Sequence, residues 1–136
     1  MKTLPRKLLI RVGGYMGPSY SVELRGGKLR YEATKARYAE PRSEFIIPTE
    51  KQWTQFRSVL DSIRVWQWLS DYPNPGVCDG TNWRAEVVYD DAEVVSHGDN
   101  NYPNAGGQPS GTPGGTREFR RLTKAVRALL GGRDFE

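Results

Sequence analysis

The sequence predicts an α+β fold in which an antiparallel sheet of about five to six strands packs against two amphipathic helices. Three observations carry this reading. Apolar and polar residues alternate in short runs before residue 48 and again from 83 to 97, the period of a half-buried strand. Two stretches, about 49–64 and 116–130, carry their apolar residues at helical spacing instead. Glycines and prolines separate the runs at turn positions.

Leu8, Ile10 and Val12 alternate with Leu9 and Arg11 until Gly13-Gly14 ends the run. Tyr20, Val22 and Leu24 form a second run and Leu29, Tyr31 and Ala33 a third, joined at Gly26-Gly27. Paired glycines between alternating runs predict a tight hairpin, because primed turns need positive φ at both central residues. The three runs make an N-terminal meander, and Phe45-Ile46-Ile47, closed by Pro48, adds a short central strand. Thr49-Glu50-Lys51-Gln52 has the form of a capping box, in which the Thr and Gln side chains satisfy backbone N–H groups at a helix start. Trp53, Phe56, Val59, Leu60 and Ile63 then share one arc, with Glu50, Thr54, Arg57 and Asp61 opposite. Val65 to Leu69 is read as extended, which would point Trp66 and Trp68 the same way, and Asp71 to Gly80 as loop.

Trp83–Tyr89 and Ala92–His97 predict a C-terminal-half hairpin that turns at Asp90-Asp91. Residues 98–116 hold six Gly and three Pro, so a flexible loop is expected there, above all over about 104–115. Thr116, with Glu118 two residues on, caps a second helix whose Phe119, Leu122, Val126, Leu129 and Leu130 share a face and which stops at Gly131-Gly132.

At 136 residues and 37% hydrophobic content, the chain is expected to form one domain around one core. The apolar run near the N-terminus is cut after Ile10 by Arg11, far short of a membrane span or signal-peptide core, which predicts a cytoplasmic protein with no membrane partner. Cys78 is the only cysteine, so no internal disulfide forms, and neither a metal site nor a cofactor is expected. The net charge of +4 hides a segregation. Residues 1–45 carry ten Lys or Arg against four acids, 65–100 one against seven, and 101–136 six against three. Such a pattern suits either a basic surface for a polyanion or oppositely charged segments that lie together and cancel, and we prefer the second.

If 83–97 is a hairpin, the segment entering it and the segment leaving it lie at one end of the sheet. That would bring Asp79, Thr81 and Asn82 toward His97, Asp99, Asn100 and Tyr102, with Trp68 nearby as a candidate ligand or partner contact. In catalytic terms, His97 would be a general base oriented by Asp79 or Asp99, with Cys78 as nucleophile. The plainer reading, that Asp, Asn and Gly are there as turn formers, outweighs it. No P-loop, nucleophile elbow, His-Glu-x-x-His or dinucleotide fingerprint occurs in the sequence. Trp66, Trp68, Tyr72, Trp83 and Tyr102 could make a stacking platform, or equally a core. Arg117, Arg120, Arg121, Lys124 and Arg127 fall opposite the apolar stripe of the second helix, where they could bind a polyanion, although a solvated face also belongs there.

The pattern Trp66-x-Trp68-x3-Tyr72, Asp79-Gly80-Thr81-x-Trp83, Gly98-x-Asn100-x-Tyr102-Pro103 and the following Phe119-x2-Leu122 helix resembles small uncharacterised bacterial proteins. It covers roughly residues 53–130 and implies no activity. The Gly/Pro-rich stretch 105–115 departs from it. The expected function is therefore a non-catalytic binding or protein-interaction domain, with a protein as the favoured partner. A small enzyme using Asp79, His97 and Asp99, or a nucleic-acid binder using the second helix, stand as alternatives, and an immunity protein that blocks a toxin is compatible with the same features.

Overall fold

A computed structural model describes residues 4–14, 17–36, 39–74, 81–111 and 114–136. Each alternating run forms a strand: β1 (Lys7–Gly14), β2 (Ser19–Arg25), β3 (Lys28–Thr34), β4 (Arg42–Ile46), β6 (Thr81–Val88) and β7 (Glu93–Asp99). A further strand of two residues, β5 (Asp71–Tyr72), raises the number to seven. The order across the sheet is β4-β3-β2-β1-β6-β7-β5, antiparallel throughout except for the β5–β7 pair. At the β2–β3 turn Gly26 and Gly27 have φ of 57° and 81°, as a type I′ turn requires.

The register sorts side chains into two faces. Tyr31, Val22, Ile10, Ala85 and Ser96 stand side by side across five strands and are buried. The adjacent row, Glu32, Ser21, Arg11, Arg84, His97 and Asp71, faces away from the core. Two helices contribute the apolar partners of the buried face: α1 (Glu50–Ser62) brings Trp53, Phe56 and Leu60, and α2 (Arg117–Leu129) brings Phe119, Leu122, Val126 and Leu129. The Thr49 hydroxyl accepts from Gln52 N–H at 3.1 Å and the Gln52 carboxamide accepts from Thr49 N–H at 2.7 Å, so the capping box is complete. Thr116 caps α2 and also donates its hydroxyl to the Pro103 carbonyl at 2.6 Å, fixing the helix start to the preceding loop.

Two segments, 65–69 and 71–72, depart from the sequence reading, and the residues after the second helix form a contact on which that reading is silent. Residues 65–69 are not extended. Arg64 takes a left-handed conformation (φ 54°, ψ 43°), and Val65–Gln67 form one 3-10 turn. The two tryptophans consequently diverge, Trp66 edge-on to Tyr89 at 5.8 Å and Trp68 edge-on to Trp83 at 5.8 Å. Asp71–Tyr72 leave the expected loop to pair in parallel with His97–Gly98, helped by Ser96 Oγ donating to the Leu69 carbonyl at 2.6 Å. Beyond the glycines that end α2, Phe135 is fully buried against Tyr20, and the Tyr31 hydroxyl donates to the Asp134 carbonyl at 2.6 Å.

Arg57, expected on the solvent side of α1, is covered. Its guanidinium lies 4.5 Å from the Tyr89 ring centroid and 5.1 Å from that of Trp66. It donates to both oxygens of Asp91 at 3.0 and 2.9 Å and to Asp61 at 2.9 Å. The tip of the β6–β7 hairpin is thereby clamped to α1. Burial pushes the Tyr89 hydroxyl up to about 12, and it has no hydrogen-bond partner among the described residues.

Two stability measurements check this account. A Cβ at Gly98 would lie 2.4 Å from Trp83 Nε1 and 2.6 Å from the Asn101 carbonyl oxygen, so Gly98→Ala should lower unfolding free energy in urea by about 2–3 kcal/mol, as overpacking of a core does. Tyr89→Phe removes a buried hydroxyl that bonds nothing, and should leave stability unchanged or raise it by up to ~1 kcal/mol. A clear loss in Tyr89→Phe would mean that the hydroxyl has a partner.

Candidate functional site

The two hairpin ends do meet. Asn82 stands opposite Asp99, and Asn100 N–H donates to the Thr81 carbonyl at 2.6 Å while Asn100 holds φ at 51°. Thr81, Asn82, His97, Asp99 and Asn100 are thus brought together, as the hairpin geometry requires. Cys78 and Asp79 lie outside the described residues.

The period of the strands then divides these side chains between two faces. Asn82, His97 and Asp99 project from the outer face, with Arg84 beside His97. His97 Nδ1 lies 3.2 Å from Asp71 Oδ1, in a pair whose side chains are 43% and 50% exposed. The carboxylate on the imidazole is therefore Asp71, delivered by β5, with Asp99 two residues along the same face. Such a pair could accept a proton from a bound group. Both side chains are about half exposed on the outer sheet face, and the cavities of about 420, 350 and 1070 Å³ among the described residues are lined by other residues.

Trp68 and Tyr102, expected as contact residues, belong to the core and are 7% and 3% exposed. Trp83 is the hub, with ring centroids of Phe119, Tyr72, Trp68 and Tyr102 at 5.1, 5.6, 5.8 and 6.5 Å. Its indole N–H donates to the Asn101 carbonyl at 2.9 Å. The stacking platform suggested by the aromatic pattern is therefore closed by its own rings and by α2.

The amides of this region bind the protein's own backbone. Asn101 Nδ2 donates to the Pro73 carbonyl at 3.1 Å, and its Oδ1 accepts from Tyr102 and Gly111 N–H at 3.0 and 3.3 Å. Asn74 Nδ2 donates to the Asn100 carbonyl at 3.2 Å. Within the stretch read as a spacer, Asn104 Oδ1 accepts from Gly106 and Gln108 N–H, and the Gly107 carbonyl accepts from the Tyr72 hydroxyl at 2.6 Å. Residues 104–111 thus follow a defined course over the aromatic cluster, with Pro103 and Pro109 bridged.

On the outer face Glu86 accepts from Lys7 and from Arg84, each at 2.8 Å, and is only 8% exposed. The Lys7 hydrogen bond, with that of Arg84, holds its carboxyl below the usual range. Arg84 is a site neighbour that the sequence reading missed, although the signal for it was present. A two-residue turn at Asp90-Asp91 sets Arg84 opposite His97 on the side away from Trp83. Asp71 left no such mark, because a two-residue parallel pairing between separate segments has no local periodicity.

Of the basic residues on α2, Arg117, Arg120 and Lys124 are exposed, and three of the five bond main-chain oxygens or a hydroxyl. Arg120 donates to the Gly115 carbonyl, Arg121 to Ser62 Oγ at 2.9 Å and Arg127 to the Glu136 main-chain carbonyl at 3.3 Å. Among the described residues no three His, Cys, Asp or Glu side chains gather as metal ligands would. No helix among them is long and apolar enough to cross a membrane.

The Glu86 network yields a pH-dependent expectation. A carboxyl whose folded pKa is lowered contributes stability above its unfolded value and loses it as pH falls through the folded one. Glu86→Gln should therefore cost roughly 0.5–1 kcal/mol at neutral pH, and the difference from wild type should shrink to nothing in strongly acidic urea titrations. A difference that persisted unchanged into acid would assign the effect to packing. Comparison with protein-family models and with curated proteins finds no match to this chain.

Proposed function

We propose that the chain is a non-catalytic binding domain whose partner is another protein. What carries the reading is the use made of the polar loop residues. Asn74, Asn101, Asn104 and Thr116, which surround the hairpin end, spend their side chains on backbone groups of the same domain. They act as scaffold. Large apolar side chains meanwhile stand on the surface, with Phe45 and Ile47 at 59% and 68% exposure on and just past edge strand β4, and Val95 at 50% on the outer face of β7. Phe45 and Ile47 lie together at the β4 edge, five strands from Val95, and exposed apolar side chains at a sheet edge are positions a protein partner can cover. A lone cysteine suits a reducing cytoplasm, where we place the domain.

The enzyme alternative has the His97–Asp71 pair on its side. It needs a substrate held beside an imidazole on an open strand face, whereas small-molecule sites are concave.

Affinity capture with the full chain, from nuclease-treated native lysate at physiological salt, tests the reading. One protein should be recovered in near-stoichiometric amount, and His97→Ala should recover it equally. Recovery of small molecules alone, or of material lost on nuclease treatment, would overturn it.

A further inference from the structure

Resting on the protein-interaction reading, we infer that the groove between α1 and α2 is the docking site for an acidic amphipathic helix of the partner protein. The two helices run antiparallel and are bonded at both ends of their contact. Gln52 Nε2 donates to the Ala128 carbonyl at 3.4 Å at one end, and Arg121 donates to Ser62 Oγ at 2.9 Å at the other. Between these two links the helices leave a cavity of about 420 Å³. The span from Gln52 to Ser62 is about 15 Å at the α-helical rise, room for two to three turns of a docking helix.

The floor is apolar, formed by Phe56 and Val59 from α1 and by Ala125 and Leu129 from α2. Alanine at 125 and 128 keeps the α2 side low, which is why space remains there for a side chain inserted from outside. Arg121 and Lys124 stand along the α2 rim, while α1 supplies the neutral amides Gln52 and Gln55, and the lining contains no carboxylate.

Charge gives the occupant its sign. Arg6, Lys7, Arg25, Arg30, Arg42, Arg57, Arg84 and Arg133 all pair with carboxylates. Arg121 and Lys124, on the groove rim, have no ion-pair partner among the described residues, whereas Arg120 and Arg127 lie near the Glu136 carboxylate. The groove therefore presents two cations, Arg121 and Lys124, and no carboxylate beside an apolar floor. A nucleic acid would use the charge and leave the apolar floor wet, because phosphate contacts dominate its binding. An amphipathic helix with acidic flanks uses both, as in helix-in-groove recognition.

The test uses two fluorescein-labelled peptides of about 16 residues, sharing one leucine stripe at i, i+3, i+4 and i+7 and carrying either Glu or Lys at the polar positions. Fluorescence anisotropy against the full chain should show half-saturation by the Glu peptide below about 100 μM, with the Lys peptide at least ~10-fold weaker. Ala128→Glu, at an exposed position, and Lys124→Glu should each weaken the Glu peptide, the former by ~10-fold or more, while the thermal midpoint of each variant stays at the wild-type value. Should Ala128→Glu fail to fold, Lys124→Glu still reads the charge. No binding of the Glu peptide, equal binding of both peptides, or its displacement by a short DNA duplex would overturn the assignment. A captured protein that binds Ala128→Glu as well as wild type overturns the groove and leaves the interaction reading standing. Peptide discrimination without any captured protein partner overturns the interaction reading alone.

Discussion

The Trp83 indole lies over a strand position that has no side chain, and the architecture of one half of the molecule follows from that contact. Gly98 is opposite Trp83 in the β6–β7 register, and the space a Cβ would occupy holds the indole edge and the Asn101 carbonyl. The ring then gathers Trp68 from the segment after the 3-10 turn, Tyr72 from β5, Tyr102 from the long loop and Phe119 from α2, each from a different part of the chain. Aromatic side chains bring more buried area per residue than any others, so a cluster of five can order a loop that has little regular hydrogen bonding. The polar residues around it have a derived role. Asn101, Asn104 and the Tyr72 hydroxyl satisfy the backbone groups that the loop exposes as it crosses the rings.

A second contact holds the opposite end. Arg57 lies against both the Trp66 and the Tyr89 rings and meets Asp91 with both guanidinium branches, so the hairpin tip is bound to α1 through a planar group that a lysine could not replace. Neither Asp90 nor Asp91 takes a positive φ, so the turn does not call for glycine. One of the two carboxylates is occupied in the clamp, and Arg57 holds it below its usual pKa.

What was legible in the sequence was local. The glycine pair at 26–27, the Thr49–Gln52 capping box and the helical spacing of Phe119 to Leu130 each declare a structure within a few residues, and each formed. The missed features are those fixed by contacts between distant segments: the β5–β7 pairing, the turn after Arg64, the path of 104–111 and the burial of Phe135. Aromatic residues were seen but not placed, because a pattern such as Trp66-x-Trp68 states how much surface is to be buried and not on which side. The candidate site divides along the same line. The outward facing of His97, Asp99 and Arg84 follows from alternation alone, whereas the carboxylate that meets His97 arrives from a strand with no period of its own.

Charge follows the same logic and leads to a surface. The basic N-terminal third and the acidic middle of the sequence are neighbours in the sheet. Lys7 meets Glu86 and Arg6 meets Asp90 across the β1–β6 pairing, and Arg57 in the first helix meets Asp91 at the hairpin tip. The segregation visible along the chain is therefore partly offset within the fold, at little net cost because the pairs lie at or near the surface. In the C-terminal third Glu136 faces Arg120 and Arg127, but no carboxylate lines the groove beside Arg121 and Lys124. The second helix keeps the charge of those two while its other side supplies the core with Phe119, Leu122, Val126 and Leu129. A helix that faces the core on one side and is left electrostatically open on the other places its uncompensated charge beside whatever apolar surface the core does not cover, and here that surface is the groove against α1.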